Sequence, residues 1–166
     1  DLLLFLRELG LRELAVAFRD IGRGPITELC RRLGKDESER FLHILSSLDS
    51  VSSEETKTAQ RIIRAISLEG RSKSQIIEET GISKLCEVIQ DLDPKCKKVI
   101  AFHLPFRIGK RLPSHPGLQL PPQTRYSLQC RVLKTIQSLS QEGIISPLWA
   151  ELEMMAPPAP PQEEGQ

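Results

Sequence analysis

Asparagine is absent from the 166 residues, and aromatic side chains are few: five Phe, one Tyr and one Trp. Without Asn there is no Asn-Gly hairpin signal, and no stretch alternates apolar and polar residues for long, so β-structure is not expected. The core falls to Leu, Ile, Val and Ala, which suits helix packing better than a β-sandwich. No run approaches the roughly 18 apolar residues of a transmembrane helix. Leu2 to Leu6 is apolar, but Arg7 and Glu8 follow at once, so it reads as a helix start rather than a signal peptide. Asp1 stands where an initiating Met would be, which predicts a longer parent chain. Charge of one sign is also missing: 23 Lys and Arg against 22 Asp and Glu leave a formal net charge of +1. That is neither the field of a typical nucleic-acid binder nor the acidic excess of a disordered tail.

Recognisable chemistry is lacking as well. There is no Gly-rich phosphate loop, no nucleophile motif and no metal-ligand spacing. His43, His103 and His115 are isolated, and the first two sit among aliphatics at helical spacing, as core or boundary residues. Cys30, Cys86, Cys96 and Cys130 form no C-x-x-C pair, and three fall on apolar helix faces, where a thiol acts as a small hydrophobe. Buried thiols are favoured over disulfides or a metal site, which predicts a cytoplasmic protein. No catalytic residue, cofactor, metal or small-molecule substrate is expected, so the chain does not read as an enzyme.

What is present is helical period. Leu11, Leu14, Ala15 and Phe18 form one stripe after Gly10, which reads as a break within residues 2–20. Gly22 to Pro25 is a turn, and Ile26, Leu29, Cys30 and Leu33 follow. Phe41, Ile44, Leu45 and Leu48 form the next stripe, with Asp36 as its cap. Ser52 or Ser53 caps a helix with Ala59, Ile62, Ile63 and Ile66 inward and Lys57, Arg61 and Arg64 outward. Ser72 opens a short helix to Glu79. Residues 80–105 then read as a helix pair. Ile82, Leu85, Cys86 and Ile89 are the apolar face of its first helix, and Cys96, Val99, Ile100, His103 and Leu104 that of its second. Asp93 is the N-cap and Pro94 the first helical residue of the second helix.

From Pro105 the chain changes character. Pro105, Pro113, Pro116, Pro121 and Pro122 mark a basic, extended connector over 105–123. A helix over 124–141 and a short one near 144–153 are expected to dock back through Leu133, Ile136 and Trp149. The acidic, Pro-rich stretch 154–166 reads as disordered. The resulting division is a helical-repeat domain at 1–104, the connector, a C-terminal helical segment at 124–153 and the tail.

Residues 10–18 resemble residues 81–89 at an offset of 71, which also pairs Asp20 with Asp91, Leu29 with Ile100 and Leu33 with Leu104. An offset of 56 pairs Ile26, Leu29, Cys30 and Leu33 with Ile82, Leu85, Cys86 and Ile89. Shared helical period alone is the third explanation. The common Gly–apolar start favours 71. Any of these implies an all-α fold of stacked helix pairs, in an armadillo-like right-handed superhelix or a compact bundle.

Lys95, Lys97, Lys98, Arg107, Lys110 and Arg111 form the one basic cluster. It reads either as a solvated face or as a docking patch for an acidic partner or an anionic lipid surface. Arg12, Glu13, Arg19 and Asp20 look like a mixed-charge solvent face. Residues 74–90 have the outline of a helix-turn-helix, with a turn at Gly81 and Lys84 as the only cation of its second helix. Glu87 and Asp91 oppose a polyanion there, so nucleic acid is disfavoured.

Phe41 to Asp49 and Val99 to Pro105 resemble the helix ending A-x-I-L-S-x-L-(D/P) of the armadillo-like repeats in FliG, the flagellar motor switch family. Gly81 to Asp93 is similar to the preceding helix, and the resemblance covers roughly residues 10–110. The family's Glu-His-Pro-Gln motif is replaced by Asp93-Pro94-Lys95-Cys96 in one unit and Asp36-Glu37-Ser38-Glu39 in the other. The resemblance implies a protein–protein adaptor in the cytoplasmic part of a type III secretion or flagellar apparatus. Its partners would be proteins of the basal complex, with the membrane reached only peripherally, at the inner-membrane face. The alternative is a DNA-binding regulator using residues 74–90.

Overall fold

The computed structural model describes residues 2–48, 50–66, 71–112 and 120–148. His115, Trp149 and the C-terminal tail lie outside them. Within them the regular structure is helical: α1 Leu2–Phe18, α2 Arg23–Arg32, α3 Lys35–Ser47, α4 Ser53–Ala65, α5 Lys73–Val88, α6 Pro94–Phe102, α7 Phe106–Gly109 and α8 Pro122–Gln141. The protein is all-α, as composition predicted.

Local chemistry starts the helices where expected. Ser52 and Ser72 each form a capping box, accepting a hydrogen bond from the backbone N–H of Glu55 and Gln75, whose side chains accept one in return from the cap N–H. The Asp93 carboxylate accepts from the Lys95 N–H, and Pro94 occupies the first turn. Helix α3 begins one residue before Asp36, which lies in its first turn while Gly34 is the cap.

Two expected breaks are not there. Helix α1 runs through Gly10 and α5 runs through Gly81 without interruption. Glycine lowers helix propensity but does not forbid a helix, and here it is required by packing. A methyl built on Gly10 would lie 2.0 Å from the Ile77 carbonyl oxygen, and one on Gly81 would lie 2.0 Å from that of Leu6. The two helices cross backbone against backbone at this point.

These contacts are reciprocal. Shifting Leu6 and Gly10 by 71 positions gives Ile77 and Gly81, so Gly10 meets Ile77 as Gly81 meets Leu6. Residue i meeting j while j's counterpart meets i's is the signature of a two-fold relation. It extends through the chain. The same shift carries α1 onto α5, α2 onto α6, the start of α3 onto α7, and α4 into α8. It carries the Glu8–Arg40 ion pair onto Glu79–Arg111. It carries Ser38, whose hydroxyl donates to the Cys30 carbonyl at 2.8 Å, onto Gly109, which is pressed against the Ala101 carbonyl. The structure therefore resolves the register as 71; an offset of 56 reproduces none of these contacts.

The cores obey the same relation. Leu11, Leu14, Ala15, Leu29, Leu33, Phe41 and Ile77 share one buried cluster. Their counterparts Ile82, Leu85, Cys86, Ile100, Leu104, Leu112 and Leu6 belong to another. Burial lifts the Cys86 thiol to about 12, with the Glu87 charge adding to it.

Helix α8 closes the second half, burying Leu128, Val132, Ile136 and Leu139, while Leu133 packs at the edge of the same cluster. Two expectations fail here. Residues 106–109 of the extended connector form α7, because Pro105 caps a helical turn whose Ile108 is buried. Helix α6 fully buries none of its residues: Cys96 and Val99 face outward, and of the expected face only Ile100 and the following Leu104 turn in, with Ala101 beside them. His43 and His103 are likewise exposed rather than core or boundary residues.

Candidate interaction surface

The basic cluster divides into two sets. Arg107 pairs with Glu78 at 2.6 Å, and Arg111 makes a two-pronged contact with Glu79, which also holds Arg71. The Lys97 ammonium donates to the Gln90 carbonyl at 2.7 Å. Arg107 and Arg111 fasten the α7 region to the middle of α5, and Lys97 fastens α6 to the turn that follows α5. Among the described residues, Lys95, Lys98 and Lys110 have no carboxylate partner, and all three point to solvent.

Burial pushes the Glu79 carboxyl up, but the hydrogen bonds and charge of Arg111, joined by Arg71, outweigh it and hold the group below its ordinary 4.5. Burial likewise pushes Glu55 and Glu142 up, but Glu55 accepts from the Ser52 backbone N–H beside Arg131, and Glu142 accepts from the Ser138 hydroxyl and from Arg40, so both are held low. A carboxylate lowered by folding stabilises the fold above its unfolded value and loses that contribution as pH falls through the folded one. Stability in urea is therefore expected to be flat near neutrality and to drop as pH falls below about 4.5. Glu79→Gln should make that drop shallower; an unchanged slope in denaturation at graded pH would refute the assignment.

The three unpaired lysines frame large apolar side chains. On α6, Lys95, Lys98, Val99 and Phe102 fall on one face at helical spacing, and it is the outer face. Val99 is 58%, Phe102 87% and Phe106 83% exposed. The Phe102 ring meets His103 edge-on at 5.9 Å, and the Lys110 ammonium stands 5.6 Å over the Phe106 ring. Gly109 against Ala101 brings α7 hard onto α6 and sets the two phenylalanines on either side of one short turn.

No family model, curated protein or solved structure matches this chain. Its own first half then supplies the comparison. Val99, Phe102 and Phe106 correspond to Glu28, Arg31 and Lys35, and Lys95, Lys98 and Lys110 to Gly24, Thr27 and Glu39. All twelve positions are exposed. The fold asks for no apolar residue at these sites, since the first half fills them with charged and small polar ones. Periodicity missed this surface, because spacing tells which residues share a helix face and not which way that face looks.

A second feature lies on the other side of the α1–α5 crossing. A cleft of 1010 Å³ opens between α1, α3, α4 and α8, lined by Arg12, Arg40, Arg131, Glu55 and Glu142 among others. Arg40 bridges Glu8 at 2.9 Å and Glu142 at 2.8 Å, and Arg131 holds Glu55 at 2.9 Å. At its floor Lys84 pairs with Glu13 at 2.8 Å, each side chain only 5% and 4% exposed. The expected solvent face of Arg12 and Glu13 is therefore partly interior, and Lys84 is not available as a recognition cation. With α5 unbroken at Gly81, residues 74–90 do not form a helix-turn-helix. Among the described residues no group of His, Cys, Asp and Glu is placed to hold a metal, and no helix is long and apolar enough to cross a membrane.

Proposed function

We propose that the chain is a non-enzymatic protein–protein adaptor in the cytoplasmic part of a bacterial type III secretion or flagellar apparatus. One observation carries the adaptor reading: two halves with the same core and the same burial pattern present different outsides. A duplicated scaffold with divergent faces suits a part that holds two different neighbours. The charged cleft, walled by ion pairs, is the site assigned to the protein partner. The resemblance to the FliG repeats supplies the setting. Armadillo-like stacking enters as the pairing of α2 with α3 and of α6 with α7.

The test is cross-linking with mass spectrometry on the complex isolated from native cells. Cross-links from Lys134, exposed at the cleft rim, to secretion or flagellar components are expected, and Arg40→Glu should remove them. Recovery of nucleic acid without such proteins would overturn the adaptor reading.

A further inference from the structure

We infer that the outer face of α6 and α7 is a docking surface for an anionic lipid bilayer. The internal duplication makes the argument. At six equivalent exposed positions, the first half has Gly24, Thr27, Glu28, Arg31, Lys35 and Glu39, a solvated surface of mixed sign. The second half has Lys95, Lys98, Val99, Phe102, Phe106 and Lys110, with no acid among them. Two acids are lost, two aromatics and one aliphatic are gained, and the three lysines, all at positions where the first half has no cation, have no carboxylate partner among the described residues.

The chemistry matches a charged interface with an apolar layer beneath. Lysine ammoniums reach lipid phosphates while their methylene stems lie along the apolar surface. Phenylalanine rings that project into solvent enter the boundary between headgroup and acyl chain. The shape favours a bilayer over a protein pocket. Phe102 and Phe106 are 87% and 83% exposed, so they stand out from the surface instead of lining a groove. A bilayer deforms around such projections, whereas a protein would need a preformed socket for each. The surface is also held in shape: Arg107 and Arg111 lock α7 to α5, and Gly109 seats it on α6. This inference goes beyond the adaptor reading and does not depend on the identity of any protein partner.

The test is sedimentation of the full chain with vesicles of phosphatidylethanolamine and phosphatidylglycerol, against vesicles of phosphatidylcholine alone. Binding to the anionic vesicles is expected, falling as salt is raised, with little to the neutral ones. The decisive variant carries Val99→Gln, Phe102→Gln and Phe106→Gln, which removes the apolar groups at exposed positions and leaves the charge unchanged. It should fold normally by circular dichroism and lose more than about tenfold in vesicle affinity. Lys95→Gln with Lys98→Gln and Lys110→Gln should lose as much by removing the charge alone. No binding to anionic vesicles, equal binding to neutral ones, or binding that survives the three glutamines would overturn the inference. So would a protein ligand that needs Phe102 and Phe106 while vesicles do not bind.

Discussion

Gly10→Ala is expected to destabilise the protein by about 3 kcal/mol, although alanine is the better helix former. The added methyl would fall 2.0 Å from the Ile77 carbonyl oxygen, and that oxygen is backbone inside α5, with no side chain to swing aside. The two longest-packed helices must separate or bend, which loosens both buried clusters at once. Gly81→Ala meets the Leu6 carbonyl in the reciprocal position and should cost a similar amount. Gly24→Ala is the contrast: beyond its chain neighbours nothing lies within 4 Å of its site in α2, so only the local restriction on a residue before Pro25 operates and a change of under about 1 kcal/mol is expected. Urea unfolding followed by circular dichroism measures all three. A neutral or stabilising Gly10→Ala would refute the close crossing.

Lys84→Met should cost about 3–5 kcal/mol, because it strands the Glu13 carboxylate in the interior. That carboxylate has little to fall back on: it is buried, and its Oε1 has no hydrogen-bond partner. Replacing both members, Lys84→Met with Glu13→Leu, removes the desolvated charges together and should return stability to within about 1 kcal/mol of the starting protein. The double-mutant cycle in urea isolates the coupling. If the single and double replacements cost the same, the pair does not hold the crossing. Arg7→Met at the other pair across the crossing, with Glu78, should be milder, since Arg7 is 25% exposed and Arg107 also neutralises Glu78.

Much of the fold was legible because helical period is a local property. The stripes of Leu11, Leu14, Ala15 and Phe18, and of Ile82, Leu85, Cys86 and Ile89, are core in the structure, and both carry the repeat. Gly10 and Gly81 were misread because a glycine that ends a helix and one that lets two helices touch look alike in one dimension. Glu13 and Lys84 were misread for a similar reason: each looks solvated by itself, and only the crossing shows that they neutralise each other. The lysines of the candidate surface were visible as a cluster. Their separation from Arg107 and Arg111 was not, because it depends on Glu78 and Glu79 facing α7.

The reciprocal crossing also determines which halves can recognise each other. Leu6 completes the cluster of the second half and Ile77 that of the first, so neither unit has a finished interior by itself. Across the crossing, Arg7 meets Glu78 and Glu13 meets Lys84, each residue facing its own counterpart with the sign reversed. Two copies of the first half joined the same way would set Arg7 against Arg7 and Glu13 against Glu13, with burial magnifying the repulsion. The charge reversal thus makes the two halves complementary sexes of one shape: each rejects its twin and accepts only the other half.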